Sequence, residues 1–306
     1  MDSYSITDSS NRIIRNTFTV TMITYVLSSL TSSLGSMIDG VVIGQFLGVD
    51  AMAAFGLASP VLIVFALVGA VLSSGARNRF TLMVGKGDMA GARGVFTLSM
   101  VLSVGISVAL MLLTMVFATP LCILLGAQGS AAGLLDQTRG YLLGFSIGLP
   151  GMNASRVLYG YMAIDNDRQL TVISSLALTL VDIVLDVLIA AAGGGTFGMG
   201  LATAVSHYVQ MGVLLLHFRR KDRLIHFSLK DIRWKEAAAM IGKGLPVGAG
   251  RVSNTARSVI FNQILDGVAA AGCIAAYSVH RQADSLLNPF VFGVSNTLAT
   301  LVGQTQ

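Results

Sequence analysis

Long apolar runs separated by short polar breaks dominate this chain, and they fall at residues 18–47, 51–75, 95–125, 137–162, 171–192, 197–218, 244–265 and 268–302. Each is long enough to cross a bilayer core, which takes about 20 mostly apolar residues in helical form. The pattern therefore predicts eight helices and no strands. A polar segment carrying Arg12 and Arg15 precedes the first run. That run is too long for the core of a signal peptide and no A-x-A site follows it, so it reads as a retained helix. The single long polar connection, 219–236, falls after the sixth helix. It divides the chain into an amino-terminal six-helix lobe (1–218), a basic linker (219–241) and an incomplete carboxy-terminal lobe of two helices (242–306).

The two lobes repeat. A gapless shift of 218 positions pairs Gln45 with Gln263, Leu47 with Leu265, Ala51 with Ala269, Ala53 with Ala271, Ala58 with Ala276, Gly75 with Gly293, Val84 with Val302 and Gly85 with Gly303. Alanine and valine matches are cheap in an apolar chain, but the glutamine and glycine matches are not. Both copies begin at the same side of the membrane, so this is a parallel repeat of a six-helix unit, as in transporters built from two halves. The second copy stops after two helices, which predicts a chain cut short after the eighth of twelve.

Composition agrees with the pattern. Hydrophobic residues make up 54% and charged residues 11% of the chain, and mean hydropathy is +0.74, whereas a soluble domain carries roughly a quarter charged residues. The fold class is an all-α integral membrane protein. A formal charge of +5 and pI near 9.4 do not point to nucleic acid, because the basic residues gather on one side of the spans. Arg77, Arg79, Lys86 and Arg93 follow the second helix, Arg168 the fourth, and Arg219, Arg220, Lys221, Arg223, Lys230, Arg233 and Lys235 the sixth, against only Arg139 opposite. The positive-inside bias then puts both termini in the cytoplasm of a multi-pass plasma (inner) membrane protein.

The chemistry lies in the few charges that enter the spans. Asp182 and Asp186 sit one turn apart on one face of an otherwise aliphatic helix, where a carboxylate costs about 2.5 kcal/mol or more and is usually functional. Asp39 lies at a comparable depth on the first helix. Arg251, Arg257, His280 and Arg281 form a second polar group on the last two helices. They read as cavity or gate residues, as partners of acids elsewhere, or as side chains snorkelling to the interface.

Other features read as structural. Gly140, Gly144 and Gly148 form a small-residue stripe for close helix contact, just before Pro150, which predicts a kink. Gly193, Gly194 and Gly195 predict a tight turn. Cys122 and Cys273 stand alone in apolar surroundings, and His207, His217 and His226 share no metal-ligand spacing, so these read as packing and polar residues. The fourteen methionines read as packing, with Met152 and Met162 the members open to a ligand-contact reading. Trp234 in the linker reads as an interfacial anchor. Lys86 lies in a short Gly-Lys-Gly rather than a phosphate loop, and no nucleophile, acid and base constellation occurs, so the chain is not read as an enzyme.

The ordered motifs resemble the multidrug and toxic compound extrusion (MATE) family. They are Met37-Ile-Asp39-Gly-Val-Val-Ile-Gly44-Gln-Phe-Leu-Gly48 with Ala51-Met-Ala-Ala and Pro60, then Val84-Gly-Lys-Gly-Asp88 with Ala92, then Asp182-Ile-Val-Leu-Asp186, then Gly198-Met-Gly200-Leu-Ala-Thr203-Ala-Val-Ser206. The resemblance covers the whole chain and about two thirds of a twelve-helix member. It implies two six-helix bundles facing a central cavity, alternating access, and secondary active export of amphipathic or cationic small molecules driven by Na⁺ or H⁺ entry. It also implies a monomer at full length, with no cofactor and no metal beyond a Na⁺ at Asp39, Asp182 and Asp186. Carried over by position, the coupling residues are Asp39, Asp182, Asp186 and Thr203, with Tyr141 a weaker member. The weak substrate-cavity set is Arg251, Arg257, Asn262 and Arg281.

Three departures stand out. Asp182 replaces the family's usual asparagine, and three neighbouring carboxylates repel, which tilts coupling toward protons. The first helix lacks the proline at which many members bend. The seventh carries Arg251 and Arg257 instead of a carboxylate, and the repeat puts Arg257 opposite Asp39. Two alternatives stay open: a flippase for a lipid-linked precursor, which the arginines would suit, and a membrane fragment that does not transport.

Overall fold

The computed structural model describes residues 15–298 apart from 16–17, 21, 28, 32, 34, 36–37, 126, 128–132, 163, 166, 221–222, 269–286, 292 and 296. Every regular element among them is helical. The first helix, α1, is described over Phe18–Thr31 and Ile38–Leu47 and ends in the π-helical turn Ile43–Leu47. Gly48, at φ 88°, breaks the chain before α2 (Val49–Gly85). Next come α3 (Met89–Leu124), α4 (Leu134–Ser146), α5 (Leu149–Met162), α6 (Arg168–Ala191), α7 (Gly195–Leu215) and α8 (Lys235–Val268). Length and composition alone qualify α2, α3, α6 and α7 as membrane spans. Most of the eighth expected helix lies outside the described residues, where 287–291, 293–295 and 297–298 are helical.

Lipid reverses the usual amphipathic logic, and α6 shows it. Ile173, Leu176, Leu180, Val184, Val187 and Leu188 are exposed along one stripe, while Thr171, Ser174, Ser175, Thr179, Asp182 and Asp186 are buried on the other. Turns of 3.6 residues place each set on one face, with the apolar set toward the bilayer and the polar set toward the bundle. Thr179 Oγ1 donates to the Thr31 carbonyl of α1 at 3.4 Å, which sets α6 beside α1.

Where the sequence predicts a kink at Pro150, the structure has a full break. The fourth span is two helices, α4 and α5, joined through Ile147 and Gly148. Pro150 is the second residue of α5, where a helix needs no N–H from it. Tyr208 Oη of α7 donates to the Ile147 carbonyl at 2.8 Å, satisfying a group that the break sets free.

Glycines bring helix backbones together. A Cβ on Gly144 would strike the Phe197 carbonyl of α7, one on Gly148 would lie 2.5 Å from Ala204 Cα, and one on Gly200 would strike the Tyr141 carbonyl. The stripe expected on the fourth span is therefore the α4–α7 contact. A second crossing joins α2 to α8, where a Cβ on Gly75 would strike the Met240 carbonyl and one on Gly244 that of Val71. The glycine run after α6 is the expected tight turn, with Gly193 and Gly195 at φ 72° and 61°.

Two apolar clusters fill the bundle. One holds Phe80, Phe96, Tyr161, Met162 and Met240, with the Phe96 ring 5.0 Å from Tyr161 and 4.8 Å from Phe227. The other holds Phe65, Cys122, Tyr141, Phe145, Leu149 and Met152. Cys122, Met152 and Met162 are thus packing residues; Cys273 lies outside the described residues.

The linker is docked on the lobe. His217 is buried with Nε2 2.7 Å from Asp165 Oδ2 and Nδ1 2.8 Å from Asp167 Oδ2, and Arg220 reaches Asp167 at 3.1 Å. The Leu224 and Ile225 amides donate to Asp165 at 2.8 and 3.2 Å. Arg79 pairs with Glu236, Arg93 with Asp231 at 3.2 Å, and Arg233 with Asp88 at 2.7 Å. His217, expected only as a polar residue, is therefore the centre of a buried node with two aspartates. Trp234 is exposed.

Candidate functional site

Four helices bring the five expected coupling residues together. α1 supplies Asp39, α6 supplies Asp182 and Asp186, α7 supplies Thr203, and α4 supplies Tyr141. Asp186 is only 1% exposed and Asp182 7%, while Asp39 is partly buried. The four-residue spacing of Asp182 and Asp186 turns both toward the bundle.

The carboxyls do not converge on one point. Asp39 and Asp186 face each other within hydrogen-bonding reach, and one oxygen of each is buried without a partner among the described residues. Asp182 turns to α7 instead, where Ser206 Oγ donates to its Oδ1 at 2.9 Å and the Thr203 side chain also reaches it. The buried Tyr141 ring lies within electrostatic range of all three acids. Phe55 stands edge-on to it at 5.3 Å and Phe145 stacks at 6.2 Å. No arginine or lysine among the described residues interacts with the trio. Two carboxylates face to face repel unless a proton or cation lies between them. Among the described residues no three His, Cys, Asp or Glu side chains are gathered closely enough to hold a metal ion. A Na⁺ here would need hydroxyl oxygens as well as the acids.

Of the weak cavity set, only Arg251 has a described side chain. Arg251 is exposed on α8. Arg257 and Asn262 belong to the same helix, but their side chains lie outside the described residues, as does Arg281 altogether. Ser206 and Arg156 are the residues that sequence reasoning missed. Ser206 closes the motif Gly198–Ser206, and Arg156 is a basic residue inside an apolar run, a signal of the kind that exposes the aspartates.

Known structures have the same fold. A MATE protein in complex with MaD3S matches with TM-score 0.83 at 18% identity over 95% of this chain. An outward-facing multidrug resistance MATE family transporter of the MOP superfamily matches with TM-score 0.80 at 19% identity, and a MOP superfamily transporter from Pyrococcus furiosus with 0.80 at 20%, each over 95% of this chain. The chain spans about two thirds of their lengths, 66%, 65% and 65%. No curated protein matches the chain. The MatE family model matches residues 25–188, more than half of the sequence, so this chain belongs to the MatE family of membrane transporters.

Proposed function

We propose that this chain forms the ion-coupling lobe and the start of the opposing lobe of a secondary active exporter of amphipathic small molecules at the plasma membrane. Its amino terminus would be cytoplasmic and its work transport rather than catalysis. The observation that carries the reading is the contact between Asp39 and Asp186, buried beside Tyr141 with no neutralising cation among the described residues. Such a pair binds a proton or Na⁺ from one side and favours one conformation of the lobe when loaded. The split between the Asp39–Asp186 contact and the Asp182–Ser206 hydrogen bond supports H⁺ over Na⁺, since a proton needs two facing oxygens and Na⁺ needs a cage.

The test is dye efflux from liposomes holding the chain, driven in turn by an imposed pH gradient and an imposed Na⁺ gradient. Wild type is expected to respond to the pH gradient. Asp39→Asn and Asp186→Asn are each expected to reduce the response about tenfold or more, equivalent to about 1.4 kcal/mol or more at the limiting step. Undiminished efflux in both variants would sink the assignment.

A further inference from the structure

The same lobe holds a cation that the acidic site does not use. Arg156 extends from α5 toward α2, its Cδ 3.1 Å from the position of a Cβ on Gly69, and Asn153 Oδ1 crowds the same glycine. His207 of α7 and Arg251 of α8 both lie within charge range of its guanidinium. Asn153 is fully buried; its Nδ2 donates to Ser107 Oγ at 2.8 Å, but its Oδ1 has no partner, and neither has His207 Nδ1. Among the described residues no acid pairs with Arg156, and its backbone carbonyl accepts from Ser73 Oγ at 3.0 Å.

Inside a membrane protein an arginine without a counter-charge is expensive. The stem packs against α2 at Gly69, and the side chain as a whole is only partly exposed. What relieves the cost is an anion. Guanidinium groups bind carboxylate, sulfonate and phosphate in a planar fork. The wall beside Arg251 is apolar, since Gly248 faces Val71 and Leu67 of α2. The locus therefore suits an anionic group joined to an apolar body. It is separate from the acidic site, whose residues it does not share.

Resting on the exporter reading above, we infer that Arg156, His207 and Arg251 dock the anionic group of an amphiphilic substrate. This narrows the expected cargo from amphipathic or cationic molecules to organic anions.

The test needs no ion gradient, so it can succeed or fail independently of the coupling assignment. The purified chain in neutral detergent is titrated into 11-(dansylamino)undecanoate and, separately, its uncharged methyl ester, with fluorescence anisotropy as the readout and protein-free micelles as the blank. Wild type is expected to bind the carboxylate at least tenfold more tightly than the ester. Arg156→Gln is expected to erase that preference, Arg156→Lys to keep part of it, and Val184→Ala, at an exposed apolar position on α6, to keep it whole. Equal affinity for acid and ester in wild type would overturn the inference, and so would an unchanged preference in a folded Arg156→Gln. The wild-type comparison decides the matter even where the glutamine variant does not fold. Competition by farnesyl phosphate rather than by decanoate would identify a lipid-linked phosphate as the source of the anion, and either competitor supports the site.

Discussion

Ser206 and His207 are consecutive on α7 yet serve oppositely charged neighbourhoods: Ser206 Oγ donates to Asp182 at 2.9 Å, while His207 lies within charge range of Arg156, with its ring 6.5 Å from Phe145. Neighbouring residues on a helix diverge by about 100°, so one rigid element faces the acidic site on one side and the cationic locus on the next.

Ser206→Ala removes a hydrogen bond to a buried carboxylate, a change worth about 1.5–3 kcal/mol. Gradient-driven efflux from liposomes is expected to fall roughly tenfold. Val205→Ala, at an exposed apolar position beside it, is expected to leave efflux unchanged.

Asp39 and Asp186 act as one unit if they share one charge. The double variant Asp39→Asn/Asp186→Asn is then expected to lose no more efflux than the worse single variant, a non-additivity characteristic of groups that work together. Multiplying losses, measured in the same liposome assay, would show that each carboxyl works alone.

Gly144→Val forces a branched side chain onto the Phe197 carbonyl. Overpacking of this kind costs about 1–3 kcal/mol or more, and the thermal midpoint of the detergent-purified chain is expected to drop by several degrees. Gly105→Ala, where an added Cβ meets nothing within 4 Å, is expected to change little.

Docking of the linker should depend on pH in a definite direction. Burial alone would push the Asp165 carboxyl up, but hydrogen bonds from His217 and from the Leu224 and Ile225 amides outweigh it and hold the group below the usual carboxylate range. A carboxyl lowered on folding contributes above its unfolded value, about 3.9, and its contribution is lost as pH falls through the folded value. Hydrogen exchange at Leu224 and Ile225, corrected for intrinsic rate, is therefore expected to stay slow from about pH 7 to 5 and to accelerate only below about pH 4. Asp165→Asn should make it fast across the range.

The spans and the acidic site were legible in the sequence for the same physical reason. Lipid requires long apolar helices, and against that background Asp39, Asp182 and Asp186 stand out by their cost. Arg156 is equally costly, but it sits with Arg139 in the run 137–162, which stays apolar enough to read as a span, and most of the chain's basic residues lie in loops. The break at Ile147 and Gly148 was signalled by Gly148-Leu-Pro150, yet whether such a signal bends or interrupts a helix depends on a distant donor, here Tyr208. His217 was illegible for a related reason. Its partners lie 50 and 52 residues away, and nothing local distinguishes a histidine held between two carboxylates from one in solvent. The pairing of Ser206 with Asp182 follows from how α7 is rotated against α6, which periodicity does not specify.

The glycine seam between α4 and α7 makes a single plate of two helices. Because backbone meets backbone at Gly144 and Gly200, no side-chain rotamer can lengthen or shorten that spacing. Tyr141, one seat along α4, and Ser206, on α7, are bolted to this plate, whereas the three aspartates ride on α1 and α6. Changing the acidic cluster is thus a matter of moving acids across a fixed floor of hydroxyl groups, and a substitution that thickens the seam lifts the floor at every position along it.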